Sequence, residues 1–403
     1  MMNLKGKSIV LGVTGGIAAY KAAALCSHLV KAGAEVDTIL TVAAGEFVAP
    51  LTFQALTHRP VVTEMFALLA ETEIGHVSLA RRADLLIVAP VTANTIAKLA
   101  AGLADNMLTT TTLATEAPIL LAPAMESHMW SNPLTQENVA RLKKLRDVNL
   151  VGPGEGRLAS GASGVGRMAE PEEILDAARW VLGRNGALAG QRVVVTAGGT
   201  REPLDPIRFL GNRSSGQMGY ALARAARDLG AHVTLISTTS LPEPFGAKLI
   251  PVETAGEMHD AVLGAMNYAD ALLMAAAVAD YRPAAALDQK IKKGREDLTL
   301  ELARTPDILA QVVRVRRDNQ VIVGFAAETE NLLENAREKL RRKHLDLIIA
   351  NDARQAMGAL TNQVTLIGAD GCVDELPILP KDRVAERILD RVVVLLGGSQ
   401  LVA

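Results

Sequence analysis

Residues 196–219 read TAGGTREPLDPIRFLGNRSSGQMG. An apolar β-branched run, Val193-Val194-Val195, precedes them, and a helical pattern, Met218-Gly219-Tyr220-Ala221-Leu222-Ala223, follows. The stretch is a strand-to-helix connection, the unit from which parallel α/β sheets are built. Such connections run about two to six residues, and a longer ordered one usually has a function. This one carries Gly198 and Gly199 for close backbone approach, then Arg201, Arg208 and Arg213, then Ser214-Ser215-Gly216 leading into a helix N-terminus. Backbone N–H groups and guanidinium forks at such a place suit phosphate and carboxylate ligands. The plainer alternative is a solvated loop with scattered arginines.

The same alternation extends in both directions. The first half offers strands at Ser8–Val13, Val36–Leu40, Asp84–Ala89, Ile119–Ala122 and Val148–Gly152, with a helix from Ile17 to Lys31 closing at Gly33. The second half offers Arg192–Thr196, His232–Ile236, Asp270–Ala275, Val321–Ala326, Asp346–Ala350 and Val364–Ile367, and a terminal amphipathic helix from Arg383 to Leu396. Between the halves lies a glycine-rich linker, residues 183–190. The expected organisation is two doubly wound, Rossmann-like parallel-sheet α/β domains, residues 1–186 and 191–403.

Composition narrows the function. The chain has 403 residues, enough for two or three domains, and 49% of them are apolar. No apolar run approaches the ~20 residues of a membrane span. The N-terminus enters a strand without a cleavable signal pattern, which suggests a cytoplasmic protein. A net charge of −2 and 3% aromatic residues argue against a nucleic-acid or membrane surface and against a base-stacking platform. The two cysteines, Cys26 and Cys372, sit in apolar runs and read as reduced core residues. No zinc-ligand spacing occurs.

Residues 200–219 resemble the ligase half of the bifunctional phosphopantothenoylcysteine decarboxylase / phosphopantothenate–cysteine ligase family of coenzyme A synthesis. The resemblance covers nearly the whole chain in family order. It implies a CTP-dependent condensation of 4′-phosphopantothenate with cysteine through an acyl-cytidylate, then decarboxylation on a flavodoxin-like FMN cysteine decarboxylase domain. It also implies a homo-oligomer, because the Gly102-Leu103-Ala104-Asp105-Asn106 segment lies near a subunit interface in that family.

In the first domain Gly12-Val13-Thr14-Gly15-Gly16-Ile17-Ala18 is not a G-x-G-x-x-G fingerprint, which disfavours a nicotinamide oxidoreductase. Gly15, Gly16 and Ile17 still offer N–H groups to a single phosphate, and Thr41 a hydroxyl. Pro90-Val91-Thr92-Ala93-Asn94-Thr95 resembles the turn that contacts the flavin ring, which assigns Thr92, Ala93, Asn94 and Thr95 to FMN. His76, in Gly75-His76-Val77, matches the family's active-site histidine; a lone histidine is otherwise more often structural.

Two positions depart from the family. In Pro123-Ala124-Met125-Glu126-Ser127-His128-Met129-Trp130 the substrate-binding asparagine is replaced by Glu126. In the flap, residues 159–168, the proton-donating cysteine is replaced by Ser160. Glu126 as a protonated acid and Arg157 as its partner or as the carboxylate ligand would keep the decarboxylase working. A ligase with a silent flavin-binding or oligomerising first domain is the alternative.

The ligase half shows no departures. The resemblance gives Asn212 the acyl-cytidylate and Lys290 the charge that develops as cysteine displaces CMP. Arg208, with Arg213 as the alternative, would take the substrate phosphate. Met274, Ala275 and Ala276 form a small-residue turn on which substrate can lie. Asp280 reads either as a Mg²⁺–triphosphate ligand or as a helix N-cap. Pro306, Asp307, Ile308, Leu309, Phe325, Lys339 and Lys343 resemble CTP contacts, and the two lysines, four residues apart, share a helix face. Lys292 and Lys293 carry no role, and Thr329 closes the segment begun by Gly324.

Overall fold

A computed structural model describes residues 4–65, 75–292, 298–328, 330–352 and 360–398. Lys293 and Thr329 lie outside them. The chain forms two compact units, Met2–Leu182 and Gly183–Ala403.

In the first unit six strands, β1 (Ser8–Val13), β2 (Glu35–Leu40), β3 (Val61–Val62), β4 (Leu85–Val91), β5 (Ile119–Pro123) and β6 (Val148–Leu150), form one sheet in the order β3-β2-β1-β4-β5-β6. Every adjacent pair is parallel. All seven residues of β4 are buried, which is why a central strand reads as an unbroken apolar run. After β6, β7 (Gly154–Arg157) and β8 (Ser163–Arg167) pair antiparallel as a hairpin. The glycine-rich composition that marked a flap therefore takes the form of a two-stranded ribbon.

The second unit contains β9 (Arg192–Ala197), β10 (Arg201–Pro203), β11 (Phe209–Gly211), β12 (His232–Ser237), β13 (Lys248–Pro251), β14 (Ala271–Met274), β15 (Tyr281–Pro283) and β16 (Leu302–Arg304). It continues with β17 (Val321–Glu328), β18 (Leu347–Asp352), β19 (Thr361–Asn362), β20 (Thr365–Gly368), β21 (Val373–Glu375) and β22 (Leu379–Pro380). The main sheet runs β13-β12-β9-β14-β17-β18-β20-β21. It is parallel as far as β18, but β20 and β21 are antiparallel. A wholly parallel sheet is thus corrected at one edge: β20 and β21 are joined by a turn of four residues, too short for a crossover. In that turn Cys372 is exposed, which overturns its reading as a core residue; Cys26 is buried.

Helix boundaries shift for local reasons. The first helix is Ala19–Lys31, two residues later than expected, because residues 15–18 stay in the turn that leaves β1. The final helix is Lys381–Leu395. The helix Gln217–Asp228 starts behind Gly216 and buries Tyr220, Leu222 and Ala226 against the sheet. Its Arg227 is 1% exposed and donates from Nε (2.9 Å) to Asp228 Oδ1 and from Nη1 (3.0 Å) to the Phe245 carbonyl.

Candidate functional site

Open α/β sheets bind ligands beyond the carboxyl ends of two adjacent strands whose connections leave in opposite directions. In the first unit that point lies between β1 and β4. The two turns there are cross-tied by Thr14, whose Oγ1 donates to the Pro90 carbonyl (2.8 Å) and accepts from Thr92 N (3.2 Å). Thr92 in turn caps the helix Ala93–Ala101 through Thr95 N (3.4 Å). A Cβ on Gly15 would come within 2.8 Å of the Ala43 carbonyl oxygen, so only glycine lets the turn press on the segment that carries Thr41. The Thr41 hydroxyl is buried and has no hydrogen-bond partner. Nor do the N–H groups of Gly15, Gly16 and Ile17 reach an acceptor among the described residues. An orphaned hydroxyl beside free N–H groups fits a phosphate, and the neighbouring Thr92–Thr95 turn leaves Asn94 exposed above it.

His76 is half-buried in the first turn of Gly75–Arg82, a helix that packs on Met107–Ala114. Beyond β5, Met125 N donates to the Gly166 carbonyl (3.0 Å), docking this segment on the hairpin's return strand. Glu126 is the N-cap of the short helix Ser127–Ser131: its Oε2 accepts from His128 N at 2.6 Å. One carboxylate oxygen is therefore committed to a backbone role that asparagine also fills well. Arg157, exposed on β7, makes no ion pair with Glu126 among the described residues, so the pairing expected from sequence is not formed. Ser160 sits at the exposed hairpin tip, where Leu158 N donates to the Ala162 carbonyl (2.8 Å). The Ser127 hydroxyl, missed in sequence, is buried and unpartnered against Gly164. The hairpin base is anchored by Glu170 Oε1, which accepts from Arg167 (3.1 Å) and from Lys21 (2.7 Å) of the first helix.

In the second unit the corresponding point lies between β9 and β14. Ala277 N donates to the Gly198 carbonyl (2.8 Å) and Ala279 N to Thr200 Oγ1 (2.9 Å), lacing the two turns together. A Cβ on Gly199 would meet the Asn212 carbonyl oxygen at 2.4 Å, so the long connection folds back directly over β9's end. Asn212 Nδ2 donates to the carbonyls of Val278 (3.0 Å) and Ala277 (3.4 Å), which fixes its amide at the floor of the site.

Around this floor opens a cleft of about 900 Å³. It collects Asn212, Met274, Ala275, Ala276, Asp280, Pro306, Asp307, Ile308, Leu309, Phe325, Lys339 and Lys343, which lie up to about 130 residues apart in the chain. Asp280 is exposed and precedes β15, not a helix, so the N-cap reading is overturned. Asp307 is the residue that caps: it accepts from Ala310 N (3.1 Å) and also pairs with Lys343. Lys339 Nζ donates to the Phe325 carbonyl (2.8 Å), and burial pushes its ammonium below the usual lysine range.

Arg213 lines the cleft, whereas Arg208 and Lys290 do not. Arg208 is held by Asp205 (3.1 Å) and the Ile291 carbonyl (3.2 Å), and Ile291 N donates to Asp205 (3.1 Å). This ties down the start of the loop that bears Lys290. Sequence reasoning missed Arg342, Asn351, Asn362 and Lys381, all on the cleft wall. Only isolated polar letters marked them, with no local pattern. Among the described residues no group of three or more His, Cys, Asp or Glu side chains could hold a metal on its own, and no helix is long and apolar enough to cross a membrane.

Fold and site together define a two-domain α/β protein whose candidate sites lie at the switch point of each parallel sheet. Residues 2–182 match the flavoprotein family, and residues 188–395 match the DNA/pantothenate metabolism flavoprotein C-terminal domain. The chain is 47% identical over 399 residues to the coenzyme A biosynthesis bifunctional protein CoaBC of Bacillus subtilis, covering 97% of this chain and 98% of that one. It is 46% identical over 410 residues to the protein of the same name from Mycobacterium tuberculosis, with 97% of each covered. The crystal structure of the C-terminal domain of a CoaBC protein is 42% identical, covering 53% of this chain and 98% of that one, with a TM-score of 0.46. The chain belongs to the family of bifunctional coenzyme A biosynthesis proteins.

Proposed function

We propose that the second unit joins 4′-phosphopantothenate to cysteine at the expense of CTP, and that the first unit decarboxylates the product with FMN. The observation that carries this reading is the cleft at the β9/β14 switch point, which gathers Asn212, Met274–Ala276, Asp280, Arg213 and Lys339 from distant segments.

In the ligase, a substrate carboxylate oxygen attacks the α-phosphorus of CTP and pyrophosphate leaves. The cysteine amine then attacks the acyl carbon, the acyl C–O bond breaks, and CMP leaves with the proton passing to solvent. Asn212 orients the acyl group and Met274–Ala276 let it lie against the backbone. Asp280 is one exposed carboxylate, a donor that suits Mg²⁺ held mainly by phosphate oxygens. Lys339 and Arg213 balance phosphate charge, Lys343 being paired with Asp307, with Phe325 against the base. Lys290, although outside the cleft lining, is the cation that the family resemblance assigns to the charge that develops on the leaving phosphate.

In the decarboxylase, Thr41 and the N–H groups of residues 15–17 hold the flavin phosphate, and Thr92, Ala93, Asn94 and Thr95 face the ring. Bound FMN supplies a reversible two-electron oxidation of the cysteinyl carbon. His76 orients the substrate, the hairpin excludes water, and Ser160 is the hydroxyl at the position of the proton donor. Incubating the chain with FMN, Mg-CTP, 4′-phosphopantothenate and cysteine, with products weighed by mass spectrometry, tests the reading. 4′-Phosphopantetheine is expected. Accumulation of 4′-phosphopantothenoylcysteine alone would mean that Glu126 and Ser160 have silenced the first unit.

A further inference from the structure

The cleft has a polar end that none of these roles uses. Asn351 lies at the carboxyl end of β18, and Asn362 lies in β19. They are only 8% and 9% exposed, yet both line the cleft. Their side-chain amides bond to no described residue, and they are absent from the fully enclosed unpartnered atoms, so each amide keeps some access to a ligand or solvent. Buried carboxamides without partners are costly unless a ligand or water completes them.

Lys381 stands with them. β19 pairs antiparallel with β22, with Asn362 opposite Leu379, and β22 delivers Lys381 as the first residue of the last helix. Lys381 lines the cleft and has no carboxylate partner among the described residues, since the adjacent Asp382 is taken by Arg224 (3.2 Å). Burial lowers its pKa, as expected of an ammonium waiting for an anion.

We propose that Asn351, Asn362 and Lys381 form the subsite that receives the α-carboxylate and α-amino group of the incoming cysteine. The donor set decides the ligand class. A phosphate group presents acceptors alone and leaves carboxamide oxygens unused. A zwitterionic amino acid presents both kinds of group: its carboxylate takes Lys381 and the Nδ2 donors, and its ammonium donates to the Oδ1 acceptors, losing one proton to solvent before the freed amine attacks the acyl carbon. One lysine also matches one carboxylate, whereas a triphosphate calls for the several cations found elsewhere in the cleft. The assignment rests on the ligase reading.

Lys381→Met and Asn362→Ala are expected to raise the cysteine KM about ten- to a hundredfold. Formation of acyl-nucleotide from CTP and 4′-phosphopantothenate without cysteine should stay unchanged. Wild-type protein should favour cysteine over cysteamine, which lacks the carboxylate, and Lys381→Met should collapse that preference while Lys381→Arg restores it. An undiminished preference, or slowed acyl-nucleotide formation with a raised CTP KM, would overturn the subsite and hand these residues to the nucleotide. A wild-type chain that forms no acyl-nucleotide would overturn the ligase reading itself.

Discussion

The two units solve the same problem with the same device and differ in what they expose to substitution. In each, two turns at a switch point are laced by side-chain and backbone bonds: Thr14 to Pro90 and Thr92 in the first, Thr200 and Gly198 to Ala279 and Ala277 in the second. The first unit's residues of interest sit on short local motifs: Thr41, His76, Thr92 and Glu126 at helix starts, and Ser160 at a hairpin tip. There Glu126 caps its helix through His128 N, a local task that asparagine also performs. The second unit's cleft is assembled from distant segments, where each residue meets neighbours from elsewhere in the chain. Local sites tolerate a swap that preserves the backbone task; an assembled cleft has fewer such swaps.

The sharpest way to break that comparison is to disable one unit and assay both. Asn212→Ala should cut ligation about 10²- to 10³-fold, the usual loss for a fixed amide that stabilises developing charge, and leave decarboxylation of supplied 4′-phosphopantothenoylcysteine intact. His76→Asn should do the reverse. Loss of both activities in either variant would show that the two sites are not independent.

Next in size is a stability test. Arg227→Met removes the guanidinium that donates to the buried Asp228 carboxylate and to the Phe245 carbonyl, and should cost up to about 3–5 kcal/mol in thermal unfolding of the second unit. Flavin fluorescence follows the first unit and should not move with it.

A smaller effect is a pH profile. Burial lowers the pKa of Lys339, so its charge is lost at a lower pH than for an exposed lysine. The CTP KM should therefore rise with alkaline pH earlier than ordinary lysine titration allows, and Lys339→Arg, which stays charged, should flatten that rise.

The smallest is the departure itself. Glu126→Ala should cost about 1 kcal/mol through loss of the cap, while Glu126→Asn should keep stability within about 0.5 kcal/mol. If Glu126→Asn also leaves decarboxylation unchanged, glutamate and asparagine are equivalent there; a rise would show that the carboxylate burdens the substrate carboxylate.

The legible parts of the fold were those with a local cause. β1, β9 and β17 read as strands because each is a run of apolar β-branched residues bounded by turn-forming glycine or polar clusters. β3 and β13 escaped notice because they are edge strands of only two and four residues, too short to show a period. Cys372 was misplaced because the apolar run of β20 was read on through Asp370-Gly371-Cys372, which is in fact the exposed turn between β20 and β21. In the site, Asn212, Asp280 and Lys339 were legible as parts of recognisable motifs, but Arg342, Asn351, Asn362 and Lys381 stand alone in sequence.

By itself, the sequence determined the principal strands of the two main sheets and the two glycine turns, because propensity, periodicity and close backbone approach act over a few residues. Only the tertiary structure decided that Lys343 is spent on Asp307, that Arg208 secures a loop rather than lining the cleft, and that two buried carboxamides and Lys381 share one wall. Those outcomes depend on which distant segments the parallel sheet sets side by side. Strand order is fixed by packing both faces of the sheet, a global condition that no local pattern contains.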